Sequence, residues 1–186
     1  MTNKAPKQFS DIESKLLGDL AEDLRPQYEE ADFMWVGSPF AWIKSRPSRQ
    51  IGAIGEKLVS NWCETKGFEI ERTGDSDADR IINGHRVEIK FSTLWSDNGI
   101  YKFQQIRDQD YEYCFCLGVS PFEVQAWFIP KNEIRNPRPP ALTHQHGGSE
   151  GRDTLWLSFA AVNPPVWLAP FGGTLDKVEK LIRQIK

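Results

Sequence analysis

The dipeptide Asn83-Gly84 constrains the fold of this chain more than any other feature. Both residues enter left-handed backbone readily, so between two apolar runs they predict a two-residue type I′ turn and a tight antiparallel hairpin. The run after the turn, Arg86 to Ser92, alternates in character. Val87, Ile89 and Phe91 are expected on one face of a strand, and Glu88, Lys90 and Ser92 on the other. Asp79 to Ile82 supplies the strand before the turn. The hairpin should therefore bring Asp79 alongside the Glu88 to Lys90 end, where the polar turn Asp75 to Ala78 opens to solvent.

The rest of the chain fits around that hairpin. Ser10-Asp-Ile-Glu13 reads as a capping box, followed by Ile12, Leu16, Leu17, Leu20 and Leu24 at helical spacing. Arg25-Pro26 is expected to end that helix or kink it. Asp32 to Pro47, with Phe33, Trp35, Phe40 and Trp42, reads as an irregular connection packed on the core. A helix from about Gln50 to Thr65 places Ile51, Ile54, Leu58, Val59 and Trp62 in one stripe, with Gly67 as its stop. Phe68 to Arg72 reads as a strand. A polar loop after Ser92 leads to a predicted helix around Tyr101 to Gln109. Strands are expected at Tyr111 to Val119, Val124 to Pro130 and Leu155 to Ala161, and a closing helix at Thr174 to Lys186. The expectation is an α/β (α+β) protein: a mixed sheet flanked by helices, core order αβββαβ, in a single domain spanning 1–186. Its core would be about 50–130, with a helical extension at 1–49 and a loop, strand and helix at 131–186. A chain of 186 residues suits one well-cored domain.

Charge narrows the function classes. A formal net charge of -3 argues against a protein that coats nucleic acid indiscriminately. The distribution is uneven: Asp11 to Asp32 is strongly acidic, and Lys44, Arg46, Arg49 and Lys57 follow it. No apolar run is long enough to cross a bilayer, and Met1 to Ser10 lacks the layout of a signal peptide. Cys63, Cys114 and Cys116 read as buried small hydrophobes and not as a metal set. A cytoplasmic protein with reduced thiols is expected.

Two carboxylates brought within a few ångströms repel one another unless a cation or a proton intervenes. Oxygen donors in this number suit Mg²⁺, with Mn²⁺ as a substitute, and such ions accept phosphate oxygens as further ligands. A metal there could polarise a phosphate and acidify a bound water, and an adjacent lysine could orient that water or offset transition-state charge.

Asp79…Glu88-Ile-Lys90 resembles the hallmark of the PD-(D/E)xK nuclease superfamily, the restriction-endonuclease-like fold: an acid opening one strand, then E-x-K on the next. Ala78 stands where the nominal motif has proline, and Asp77 competes with Asp79 for the role of first acid. The resemblance covers roughly 50–130 and implies hydrolysis of DNA phosphodiester bonds to 5′-phosphate and 3′-hydroxyl ends. Asp79 and Glu88 would hold Mg²⁺ with the carbonyl of Ile89, and Lys90 would activate or position water. Glu56 matches an accessory acid that the family often carries on the preceding helix. Gly52 and Gly55 beside it lower helix propensity by about 1 kcal/mol each, which points to a backbone or substrate approaching closely. Gln104 and Gln105 match a glutamine that some branches place on the helix after the third strand. A type II restriction endonuclease cutting double-stranded DNA as a homodimer is the leading implication. A repair or junction-resolving nuclease, or a non-cleaving DNA-binding module of the same fold, is the alternative.

Outside that motif, Lys44, Arg46, Arg49 and Arg107 are candidates for phosphate contacts. Gln145 and Arg152, in the loop around His144-Gln-His146, are candidates for reading base edges. Those histidines lack the further ligands a zinc site needs.

Overall fold

The computed structural model describes residues 11–95, 99–135, 139–144 and 154–185, with backbone alone for 27–31 and 135. The chain divides into two units, 1–36 and 37–186.

The first unit is dominated by helix α1 (Ile12–Phe33). Its cap is Asp11, one residue later than the sequence implied, whose carboxylate accepts the Ser14 N–H at 2.8 Å. Pro26 lies inside α1 and does not end it.

The second unit begins with a short helix, α2 (Ala41–Lys44), inside the stretch expected to be irregular. Helix α3 (Ser48–Thr65) follows, closing at Gly67 with φ 77. Strands β1 (Ile70–Arg72), β2 (Arg80–Ile82) and β3 (His85–Thr93) form an antiparallel meander. Between β2 and β3 the expected turn is present: Asn83 and Gly84 have φ of 49 and 83, and Ile82 pairs with His85. Strand β5 (Tyr113–Val119) lies parallel to β3, and β6 (Val124–Pro130) is antiparallel to β5. The main sheet thus runs β1-β2-β3-β5-β6.

The segment predicted as a helix around Tyr101 is instead strand β4 (Ile100–Ile106). It pairs with β8 (Leu155–Ala160), and β8 with β7 (Leu142–His144), in a second sheet of order β4-β8-β7. The physical cause is a bulge. Tyr101 and Phe103 alternate as strand residues should, but the register shifts between Phe103 and Ile106, and Gln105 sits at φ 59. The extra residue converts a spacing of two into three, which imitates a helix.

Each face of the main sheet is covered differently. On one, Val87, Ile89, Phe115, Leu117 and Phe128 pack against Val59 and Cys63 of α3 and against Val178 and Ile182 of helix α5 (Leu175–Gln184). Gly55 permits the close seat of α3: a Cβ there would lie 2.2 Å from Cβ of Phe91. On the other face, Trp127 meets Tyr101, Phe103 and Phe159 of the second sheet. Gly118 lets the Tyr101 ring close in to where a Cβ would stand 2.8 Å away. Between Pro130 and β7, helix α4 (Lys131–Arg135) breaks the expected loop. Among the described residues no helix is long and apolar enough to cross a membrane.

Candidate functional site

Strand β2 pairs with only His85 to Val87 of β3. Asp79, the residue before β2, bridges past that end: its N–H donates to the Val87 carbonyl at 3.1 Å, and its carboxylate accepts the Ile89 N–H at 2.7 Å. That clasp fixes Asp79 beside the Glu88-Ile89-Lys90 segment. Thr73 donates its hydroxyl to the Ala78 carbonyl at 2.7 Å and ties the preceding turn to the same point. Asp77, the rival first acid, donates its N–H to the Asp75 carboxylate at 2.9 Å. Asp75 in turn holds Arg86 through two contacts of 2.7 and 3.1 Å.

Glu88 and Lys90 leave β3 on the face away from α3 and form an ion pair, with 7% and 15% of their side chains exposed. Burial pushes the Glu88 carboxyl above its ordinary value; the Lys90 charge opposes this, and the nearby Asp79 adds to it. Burial works against the Lys90 charge too, but the Glu88 carboxylate outweighs it and holds the amine above its usual value. Lys90 is therefore a cation at neutral pH.

Glu56 approaches from α3. Its carboxyl is also raised, first by burial and then by Asp79, against the opposing charges of Arg80 and Lys90. Arg80 was not singled out in the sequence. It stands 3.6 Å from the Glu56 carboxylate and donates to the Ser60 hydroxyl at 3.0 Å, so it fastens β2 to α3. Its place directly after the first acid was the available signal. Three carboxylates, Glu56, Asp79 and Glu88, thus lie within electrostatic reach of Lys90, and Arg80 pairs with Glu56.

Among the described residues no three His, Cys, Asp or Glu side chains are gathered tightly enough to hold a metal ion as they stand. Glu88 is turned to Lys90, and one Asp79 oxygen is engaged by the Ile89 N–H. The candidate donors are all oxygen, and both raised carboxyls carry an unfavourable contribution from Asp79 that a hard cation would relieve.

The remaining candidates are scattered. Gln104 and Gln105 lie at the β4 bulge and not on a helix. Arg107 is exposed just beyond β4. Arg49 is exposed in the first turn of α3, two helical turns before Glu56 and so on the same side, about 10 Å away. Gly52 lies between them with nothing within 4 Å of where its Cβ would be, so only Gly55 of the two glycines marks a close approach. Lys44 is half-buried in α2, and Arg46 donates to the Trp42 carbonyl at 3.3 Å. Trp42 itself is 54% exposed, against the expectation that it packs in the core. Gln145, His146 and Arg152 lie outside the described residues. The thiols are free and buried as expected; Cys114 and Cys116 stand opposite Glu88 and Lys90 in register, their sulfurs 3.7 Å apart. A wholly apolar hollow of about 160 Å³, lined by Phe40, Leu58, Trp62 and Phe115, lies on the α3 face of the sheet and plays no part in this cluster.

No protein-family model matches the chain, and no curated protein matches it.

Proposed function

We propose that the chain is a metal-dependent DNA endonuclease with a restriction-endonuclease-like core. The observation that carries the reading is the clasp of the Asp79 carboxylate on the Ile89 N–H, which sets the first acid beside Glu88 and Lys90. Glu56 on α3 completes the acidic cluster, as the resemblance implies.

Asp79, Glu88 and the Ile89 carbonyl would hold Mg²⁺ or Mn²⁺. When bound, the ion supplies Lewis-acid polarisation of a phosphate and a more acidic water. Lys90 is held charged at the floor of the cluster. Its amine can hydrogen-bond the attacking water or a non-bridging phosphate oxygen and offset the charge that develops there. Glu56, held above its ordinary value first by burial and then by the Asp79 charge, would be an accessory ligand through a second metal or a water. Arg49 and the bare helix surface at Gly52 leave room for a phosphodiester backbone along α3. Double-stranded DNA as substrate, and a homodimer placing two such sites on opposite strands, belong to the same proposal.

Plasmid digestion with Mg²⁺ tests the reading. Discrete fragments indicate sequence-specific restriction, a smear indicates non-specific cutting, and intact plasmid across many sequences and divalent ions refutes the activity. Calorimetric titration with Mn²⁺ separates a metal site from a salt-bridged strand: wild type should bind, and Glu88→Ala should not.

A further inference from the structure

Strand β4 abuts the candidate site. The Lys102 N–H donates to the Ser92 hydroxyl at 2.9 Å, and Ser92 shares its face of β3 with Glu88 and Lys90, two residues further on. Two strand residues span about 7 Å, so the edge of the second sheet begins roughly one nucleotide's breadth from Lys90.

That sheet has an inner face of Tyr101, Phe103, Leu155, Leu157 and Phe159, all buried. By alternation its outer face carries Lys102 and Gln104 on β4, Trp156 and Ser158 on β8, and Thr143 on β7. Lys102 pairs with Ser158, and Thr143 with Trp156. Trp95, bridged to Ile100 at the edge, joins the same face; it is 42% exposed and the Lys102 ammonium lies 3.7 Å from its ring centre. None of β4, β7 or β8 carries an acidic residue, in a chain that holds 26.

We infer that the outer face of the β4-β8-β7 sheet binds an unpaired nucleic-acid strand leading to or from the Glu88-Lys90 site. The Trp95 and Trp156 rings on this face give unpaired bases a stacking surface that a paired duplex cannot use. A lysine among them answers the phosphate charge, and Gln104 can bond base edges. The absence of acids removes the repulsion that the rest of this acidic chain would exert on a polyanion. The inference deepens the nuclease reading and rests on it for its meaning: the substrate then carries a single-stranded arm, as a branched or frayed intermediate does.

Fluorescence anisotropy of a labelled fifteen-residue oligothymidylate, and of a labelled hairpin duplex, in EDTA measures binding without cleavage. Full-length wild type should bind the single strand. Trp95→Ala and Trp156→Ala should each weaken it on the order of 5- to 150-fold. Lys102→Gln, a mild change at a half-buried position, should flatten the slope of log affinity against log salt by about 0.7. Phe122→Ala, at an exposed ring on the β5–β6 turn, should leave binding unchanged. Because binding is read in EDTA and cleavage separately with Mg²⁺, single-strand binding without cleavage fails the nuclease reading alone, and cleavage without single-strand binding fails this one alone. Wild type that binds only the duplex overturns the inference, and so does single-strand binding that Trp95→Ala, Trp156→Ala and Lys102→Gln leave intact.

Discussion

Replacing Gly55 by alanine tests how closely the site depends on the seat of α3. The added Cβ would stand 2.2 Å from Cβ of Phe91, whereas an ordinary contact begins at 3.4 Å, so helix and strand must part by about 1.2 Å. Overpacking of this kind costs about 1–3 kcal/mol, against a gain of about 1 kcal/mol from helix propensity. The net expectation is a loss of up to about 2 kcal/mol in urea unfolding. Gly52→Ala, with open space around it, should gain up to about 1 kcal/mol and serves as the control. The functional consequence follows from the neighbouring residue. Glu56 rides on the displaced segment, and a misplacement of about 1 Å can lower a rate by as much as 10²-fold. Gly55→Ala should therefore lose DNA cleavage beyond what its unfolded fraction explains. An unchanged unfolding midpoint, with cleavage at the wild-type rate, would refute both the packing and the role of Glu56.

Other expectations concern charge. Lys90→Met leaves Glu88 buried without its cation and should destabilise the fold by about 3–5 kcal/mol at neutral pH, while the double variant Glu88→Gln, Lys90→Met should recover most of that. Because the Glu88 carboxyl is raised in the folded state, its favourable contribution is present below the ordinary carboxyl value and lost as pH rises through the raised one. The Lys90→Met deficit should accordingly shrink on acidification, and urea curves at several pH values check it. Asp75 is held below its usual range, chiefly by its hydrogen bonds with Arg86. Its contribution is present above the unfolded carboxylate value and lost as pH falls through the lower folded one. In Arg86→Ala, an NMR titration should show Asp75 returning toward its ordinary value.

The hairpin, α3, α5 and the facing of Glu88 and Lys90 were legible because local chemistry determines them: two residues that accept positive φ, a stop glycine, and strict alternation. Strand β4 was not, because the bulge at Gln104-Gln105 disguises its period. Pro26 was expected to end α1 or kink it, and the helix continues through it. Within the site, Asp79 was favoured over Asp77 because Arg80 to Ile82 continue directly as the strand, whereas its clasp on Ile89 is a contact made across the hairpin. The Arg80 contacts and the register of Cys114 and Cys116 beside Glu88 and Lys90 depend on tertiary pairing between α3, β2, β3 and β5, which spacing alone does not encode.

The central claim is that Asp79 acts with Glu88 and Lys90 to cut DNA. The most direct measurement is the rate of Mg²⁺-dependent strand cleavage by wild type and by Asp79→Asn, which keeps an oxygen to accept the Ile89 N–H and so leaves the clasp in place. The account predicts a rate lower by at least about 10²-fold in a variant that unfolds like wild type. Cleavage by Asp79→Asn within a few-fold of wild type would contradict it.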